Sequence, residues 1–93
     1  MEVVLIVNPF ASGVSESRVE AVERELQRVA DVRRRVTERP GHGAELAAEV
    51  LPEQALVVFS GDGGFNEVLN GVSNGVPVEF LPGRRPRRRS APR

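Results

Sequence analysis

This 93-residue chain is predicted to be an α/β domain with a parallel sheet and flanking helices. Three observations predict it. Val3-Val4-Leu5-Ile6-Val7 and Leu56-Val57-Val58-Phe59 are continuous apolar runs, typical of strands covered on both faces. Between such runs lie segments whose apolar residues recur at helical spacing. The connections are short and carry turn residues, as when parallel strands are joined through helices on both faces of a sheet.

The elements follow in order. The first strand, 3–7, ends at Asn8-Pro9, a turn signal, and Phe10-Ala11-Ser12-Gly13 continues the turn. Val19, Val22, Leu26 and Val29 then mark a helix, with Ser17 and Glu20 spaced for a capping box. A short strand is expected at 32–36, despite Arg33-Arg34-Arg35, which also suits a solvated edge. Thr37 to Gly41 reads as a loop, and Ala44 to Leu51 as a small-residue helix stopped by Pro52. The third strand, 56–59, meets Ser60-Gly61-Asp62-Gly63-Gly64. Phe65, Val68, Leu69 and Val72 then read as a helix at i, i+3, i+4, i+7, closed by Asn74-Gly75. The last strand is expected at 77–81. Ligands of such sheets bind at the carboxyl ends of the strands, where Asn8, Thr37 and Gly61-Asp62-Gly63 are expected to meet.

Composition narrows the chemistry. The length allows one small domain, expected to be of marginal stability. The absence of cysteine excludes disulfides and thiolate zinc sites. His42 is the sole histidine, so no histidine metal cluster is predicted. No apolar stretch approaches the roughly 20 residues that span a bilayer, and Met1-Glu2-Val3 lacks the charged start of a signal peptide; a cytoplasmic location is expected. The net charge of zero hides a split: residues 1–83 carry seven arginines against thirteen acids, and residues 84–93 carry six arginines and no acid. That Arg-rich tail, with Pro86 and Pro92, is expected to be disordered. It suits weak contact with nucleic acid or an anionic membrane by charge alone, with no aromatic residue for base stacking.

The glycine-rich turn is the main chemical signal. Glycines let backbone N–H groups approach an anion, the following helix adds partial positive charge, and Asp62 places a carboxylate inside the turn. Plainer roles exist for each residue: Asp62 as a turn former, Asn8 as a strand end, Thr37 as a helix cap beside His42, Glu67 as a solvated side chain, Phe65 and Leu69 as core.

Asn8-Pro9, Thr37-x-x-x-Gly41-His42, Ser60-Gly61-Asp62-Gly63 and Asn66-Glu67-x-x-Asn70-Gly71, in this order and spacing, resemble the catalytic domain of the diacylglycerol kinase family, over roughly residues 3–83. That family includes bacterial lipid kinases and the sphingosine and ceramide kinases. The resemblance implies a Rossmann-like three-layer fold, shared with NAD kinases, and ATP- and Mg2+-dependent phosphorylation of a lipid hydroxyl. It implies that Asn8, Thr37, Gly61, Asp62 and Gly63 surround the nucleotide. It also implies a catalytic role for Asp62, either positioning phosphate and magnesium or deprotonating the attacking hydroxyl. Three departures stand out. The family's commonest loop is Gly-Gly-Asp-Gly-Thr, whereas Ser60 replaces its first Gly and Gly64 its Thr. Gly43 replaces a usual Ala. After Phe80-Leu81-Pro82-Gly83 the family continues with Gly-Thr-x-Asn and a second, β-rich domain, whereas Arg84-Arg85-Pro86 follows here. The sequence is thus expected to be the truncated nucleotide-binding part of a lipid kinase, inactive or nearly so alone. The alternatives are an NAD kinase-like phosphotransferase and a non-functional frameshifted fragment.

Overall fold

A computed structural model describes residues 1–84. The Arg-rich tail expected to be disordered lies, beyond Arg84, outside the described residues. The elements are β1 (Glu2–Val7), α1 (Glu16–Gln27), β2 (Asp31–Val36), α2 (His42–Ala48), β3 (Ala55–Ser60), α3 (Asp62–Gly71) and β4 (Val78–Pro82). The four strands form one sheet in the order β2-β1-β3-β4. Every neighbouring pair is parallel.

Strand alternation sorts the apolar residues into two cores. Val3, Leu5, Val7, Val57 and Phe59 face α1, through Val19, Val22 and Leu26. Val4, Ile6, Leu56 and Val58 face α2 and α3, through Leu46, Ala47, Val50 and Val68. Both faces of β1 and β3 are covered, which is why these strands read as unbroken apolar runs. This is the three-layer α/β architecture expected. The chain leaves β1 through α1 on one face and leaves β3 through α3 on the other. The β1/β3 boundary is therefore the place where strand order reverses, and a crevice opens there.

β2 shows how an edge strand accommodates three consecutive arginines. Arg33 pairs with Glu2 at 3.2 Å, Arg34 with Glu23 at 2.6 Å and Glu16 at 3.1 Å, and Arg35 with Glu49 at 3.3 Å. Charges on an edge also discourage pairing with another chain. Hydrogen bonds from Gln54 and then Arg33 hold the Glu2 carboxyl below its ordinary value, and one from Arg39 does the same for Glu45. A carboxyl with a depressed native pKa contributes stability above its ordinary value and loses it as pH falls through the native one. The urea midpoint is accordingly expected to drop between neutral pH and pH about 3, and Glu2→Gln to shrink that drop. An equal drop in the variant would remove Glu2 from the account.

Several element boundaries differ from expectation. The N-cap of α1 is Ser15, whose Oγ accepts from the Arg18 N–H at 3.3 Å; the Ser17–Glu20 capping box does not form. Val29 lies past the end of α1 and is exposed. α2 starts at His42 and ends at Ala48, rather than spanning 44–51, because Gly41 turns the chain with φ +84°. α3 begins at Asp62, three residues before Phe65, and stops at Gly71. Gly75, at φ +90°, belongs to the following turn instead of closing the helix. Of the edge strands, the first starts one residue early, at Asp31, and the last lies one residue further on, at 78–82.

Candidate functional site

Three backbone hydrogen bonds join the strand exits. The Asn8 N–H donates to Phe59 O at 3.0 Å, Thr37 N–H to Val7 O at 2.9 Å, and Gly83 N–H to Ser60 O at 2.9 Å. The segments after β1, β2, β3 and β4 are thereby brought to one edge of the sheet. Asn8 then folds its own loop: its Oδ1 accepts from the Phe10 N–H at 3.0 Å and its main-chain carbonyl from the Ala11 N–H at 3.2 Å. This is the self-bonding turn that Asn side chains favour. The far end of the loop is fastened to β4. Gly13 sits at φ +83°, so close to Gly83 that a Cβ would enter the Gly83 carbonyl. Arg18 donates to both the Gly13 and the Gly83 carbonyls, and its guanidinium lies 5.3 Å from the Phe59 ring centroid.

Beside these exits, on the face covered by α2 and α3, lies a cavity of about 510 Å³. That volume is within the range of small-molecule sites. Its floor is apolar, with Ile6, Val58 and Val68. Its polar lining is Asn8, Thr37, Glu38, Arg39, Ser60 and Glu67, and Phe10 and Pro40 line it as well. Thr37 is almost fully buried. The loop carrying Thr37 is held by the Glu38 N–H donating to His42 Nδ1 at 3.0 Å and by Arg39 forking onto Glu45 at 2.8 and 2.9 Å.

The start of α3 borders this cavity. Gly61 is the N-cap, in an extended conformation, and the first helical bond runs from the Phe65 N–H to Gly61 O at 3.0 Å. Among the described residues, the N–H groups of Asp62, Gly63 and Gly64 have no acceptor. They are the free donors that every helix start presents. A Cβ on Gly63 would meet nothing within 4 Å, whereas one on Gly64 would lie 2.7 Å from Ser60 Oγ and 3.3 Å from Asn8 Nδ2.

Among the expected site residues, Asn8 and Thr37 line the cavity together. Gly61 lies against the β1–α1 loop, its Cβ position 3.8 Å from Ala11 Cβ. Asp62 and Gly63 are exposed in the first turn of α3 and do not line the cavity. Gly64, Glu67 and Phe10 were not among the expected site residues, yet all three line it. Glu67 is half-buried and accepts from the Gly43 N–H at 3.0 Å, tying α3 to α2. The signal for Gly64 and Glu67 was available: Gly64, Glu67, Val68 and Gly71 share one face of a helix, but only of a helix that begins before Gly64.

Compared with known families, residues 2–83 match the diacylglycerol kinase catalytic domain. The chain belongs to that family. A protein of Bacillus subtilis (strain 168) named "Putative lipid kinase YtlR" is 34% identical over 86 residues, covering 83% of this chain and 28% of that protein. The chain therefore spans under a third of the length of this lipid kinase relative. Among the described residues of this family member, no helix is long and apolar enough to cross a membrane.

Proposed function

We propose that the crevice binds ATP with Mg2+, and that in the longer lipid kinases of this family the terminal phosphoryl group passes to a lipid hydroxyl. One observation carries this reading: the first turn of α3 presents three free N–H donors, and its Gly64 lines a nucleoside-sized cavity together with Asn8 and Thr37. The donors of Asp62, Gly63 and Gly64 suit phosphate oxygens, with Gly61 and Gly63 leaving the approach open. Asn8 and Thr37 suit the nucleoside.

The residues present also fit magnesium. No group of three or more His, Cys, Asp or Glu able to hold a metal alone occurs among the described residues. Mg2+ does not need one, since it is commonly held by one or two carboxylates together with substrate phosphates. The Asp62 carboxylate sits at the same helix end as the phosphate donors. It would repel a bare phosphate and attract a metal-bound one. When bound, the metal neutralises charge on the phosphates; Asp62 then acts as its positioning ligand.

Calorimetric titration of the 93-residue chain tests this. Asp62→Ala is expected to weaken Mg2+-ATP binding about tenfold, equivalent to ~1.4 kcal/mol. Metal-free ATP is expected to bind the variant at least as well as it binds the wild type. Equal Mg2+-ATP affinity in the two proteins would remove Asp62 from the metal–phosphate role.

A further inference from the structure

We propose that the Phe10 ring is the stacking surface for the nucleobase, so that the mouth of the cavity selects a planar heteroaromatic ligand; this rests on the nucleotide reading above. Phe10 is 77% exposed, and it is the one aromatic among the exposed large apolar side chains described. Its exposure does not come from a loosely held loop. Its own N–H is bound to Asn8 Oδ1, the next N–H to Asn8 O, and the loop's far end is fastened through Gly13 and Arg18 to Gly83. The backbone is thus fixed while the exposed ring lines the cavity. A preorganised aromatic surface of this kind loses little freedom on binding.

The surroundings choose the occupant. A phosphate chain calls for donors, which the start of α3 offers and an aromatic ring does not. A lipid tail calls for an apolar wall, whereas the cavity that Phe10 lines is also lined by Thr37, Glu38, Arg39 and Glu67. A purine has two apolar faces and a hydrogen-bonding edge. It matches a ring on one side, an apolar floor of Ile6, Val58 and Val68 below, and polar groups around. Stacking of a base on an aromatic side chain is sequence-tolerant, so Phe10 confers preference for a base without choosing between purines.

The chain contains no tryptophan and no tyrosine, so Phe10→Trp installs a single indole reporter. ATP is expected to quench its emission, and inorganic tripolyphosphate at equal Mg2+ is not. By calorimetry, Phe10→Ala is expected to bind Mg2+-ATP about tenfold more weakly, within the range of single base–aromatic stacks, and tripolyphosphate as tightly as the wild type does. Because Phe10 is exposed, both variants should melt with the wild type, as circular dichroism will show. Unchanged ATP affinity in Phe10→Ala overturns the proposal, and so does an equal loss for ATP and tripolyphosphate, which would mean a disturbed loop. In the Phe10→Trp protein, a blue shift of the indole emission on phosphatidylglycerol vesicles without nucleotide, with no quenching by ATP, would reassign the ring to a membrane surface. A wild type that binds neither ATP nor tripolyphosphate sinks the nucleotide reading itself.

Discussion

Gly71→Ala is expected to destabilise the domain by about 3 kcal/mol, at the upper end of what overpacking a well-filled interior costs. Gly71 lies at the end of α3, where that helix crosses α2. A Cβ there would enter the Ala44 carbonyl and lie 2.7 Å from Ala44 Cα. The obstacles are backbone atoms of a neighbouring helix, so no rotamer change relieves them. The two helices would have to separate, and they share the core of Leu46, Ala47 and Val68. Separation would also stretch the bond between Glu67 and the Gly43 N–H, which spans the same interface. The loss is thus expected twice: in the urea midpoint followed by circular dichroism, and in ATP affinity at a temperature where the variant remains folded. A stability within about 0.5 kcal/mol of wild type, the range of a neutral surface change, would show that the helices can move apart freely.

The second large effect is a coupling. Ser60 and Gly64 depart from the family's commonest Gly-Gly-Asp-Gly-Thr loop at two places, and the fold makes these one change. Ser60 is buried, and its Oγ donates to Gly61 O at 2.8 Å. A Cβ on Gly64 would lie 2.7 Å from that Oγ and 3.1 Å from Ser60 Cβ. With Ser60 present there is no room for a side chain at position 64; with glycine at 60 the two closest obstacles go and Asn8 Nδ2, at 3.3 Å, is the nearest that remains of the three. Gly64→Thr alone is expected to cost about 2 kcal/mol through crowding. Adding Ser60→Gly should recover most of it, giving a coupling energy of ~1–2 kcal/mol in a double-mutant cycle on the urea midpoint. Additive effects would show that the two positions do not share space.

The strands were legible because β1 and β3 are covered on both faces and therefore read as β-branched runs. Their parallel order followed from alternation with helices. The start of α3 was not legible. Asp62-Gly63-Gly64 is a poor helix-forming run, and it becomes helical because Val68 and Gly71 hold the rest of α3 against the sheet and α2. Missing those three residues also hid Gly64 and Glu67 from the site. The capping box failed for a related reason: Ser15 and Ser17 both suit a cap, and the loop from Asn8 to Gly13 decides which is used. Arg33 to Arg35 read ambiguously because their partners, Glu2, Glu16, Glu23 and Glu49, come from distant parts of the chain. Asn8 and Thr37 could be placed at one edge by topology alone. Phe10 and Arg18 could not, since their roles depend on neighbours that only the folded chain supplies.

The Arg18 bridge to Gly83 imposes a sequence of events on folding. It joins positions 65 residues apart, and β1 and β3, over fifty residues apart in the chain, pair directly. Contacts of such separation come at the cost of closing a long loop before they give anything back. Arg18 can reach Gly83 only after β4 has docked on β3, so the bridge belongs to the closing steps rather than to the nucleus. Interactions formed that late act on the rate of unfolding and leave the rate of folding nearly unchanged. A ligand held beneath the β1–α1 loop would lengthen the lifetime of the folded domain without hastening its formation.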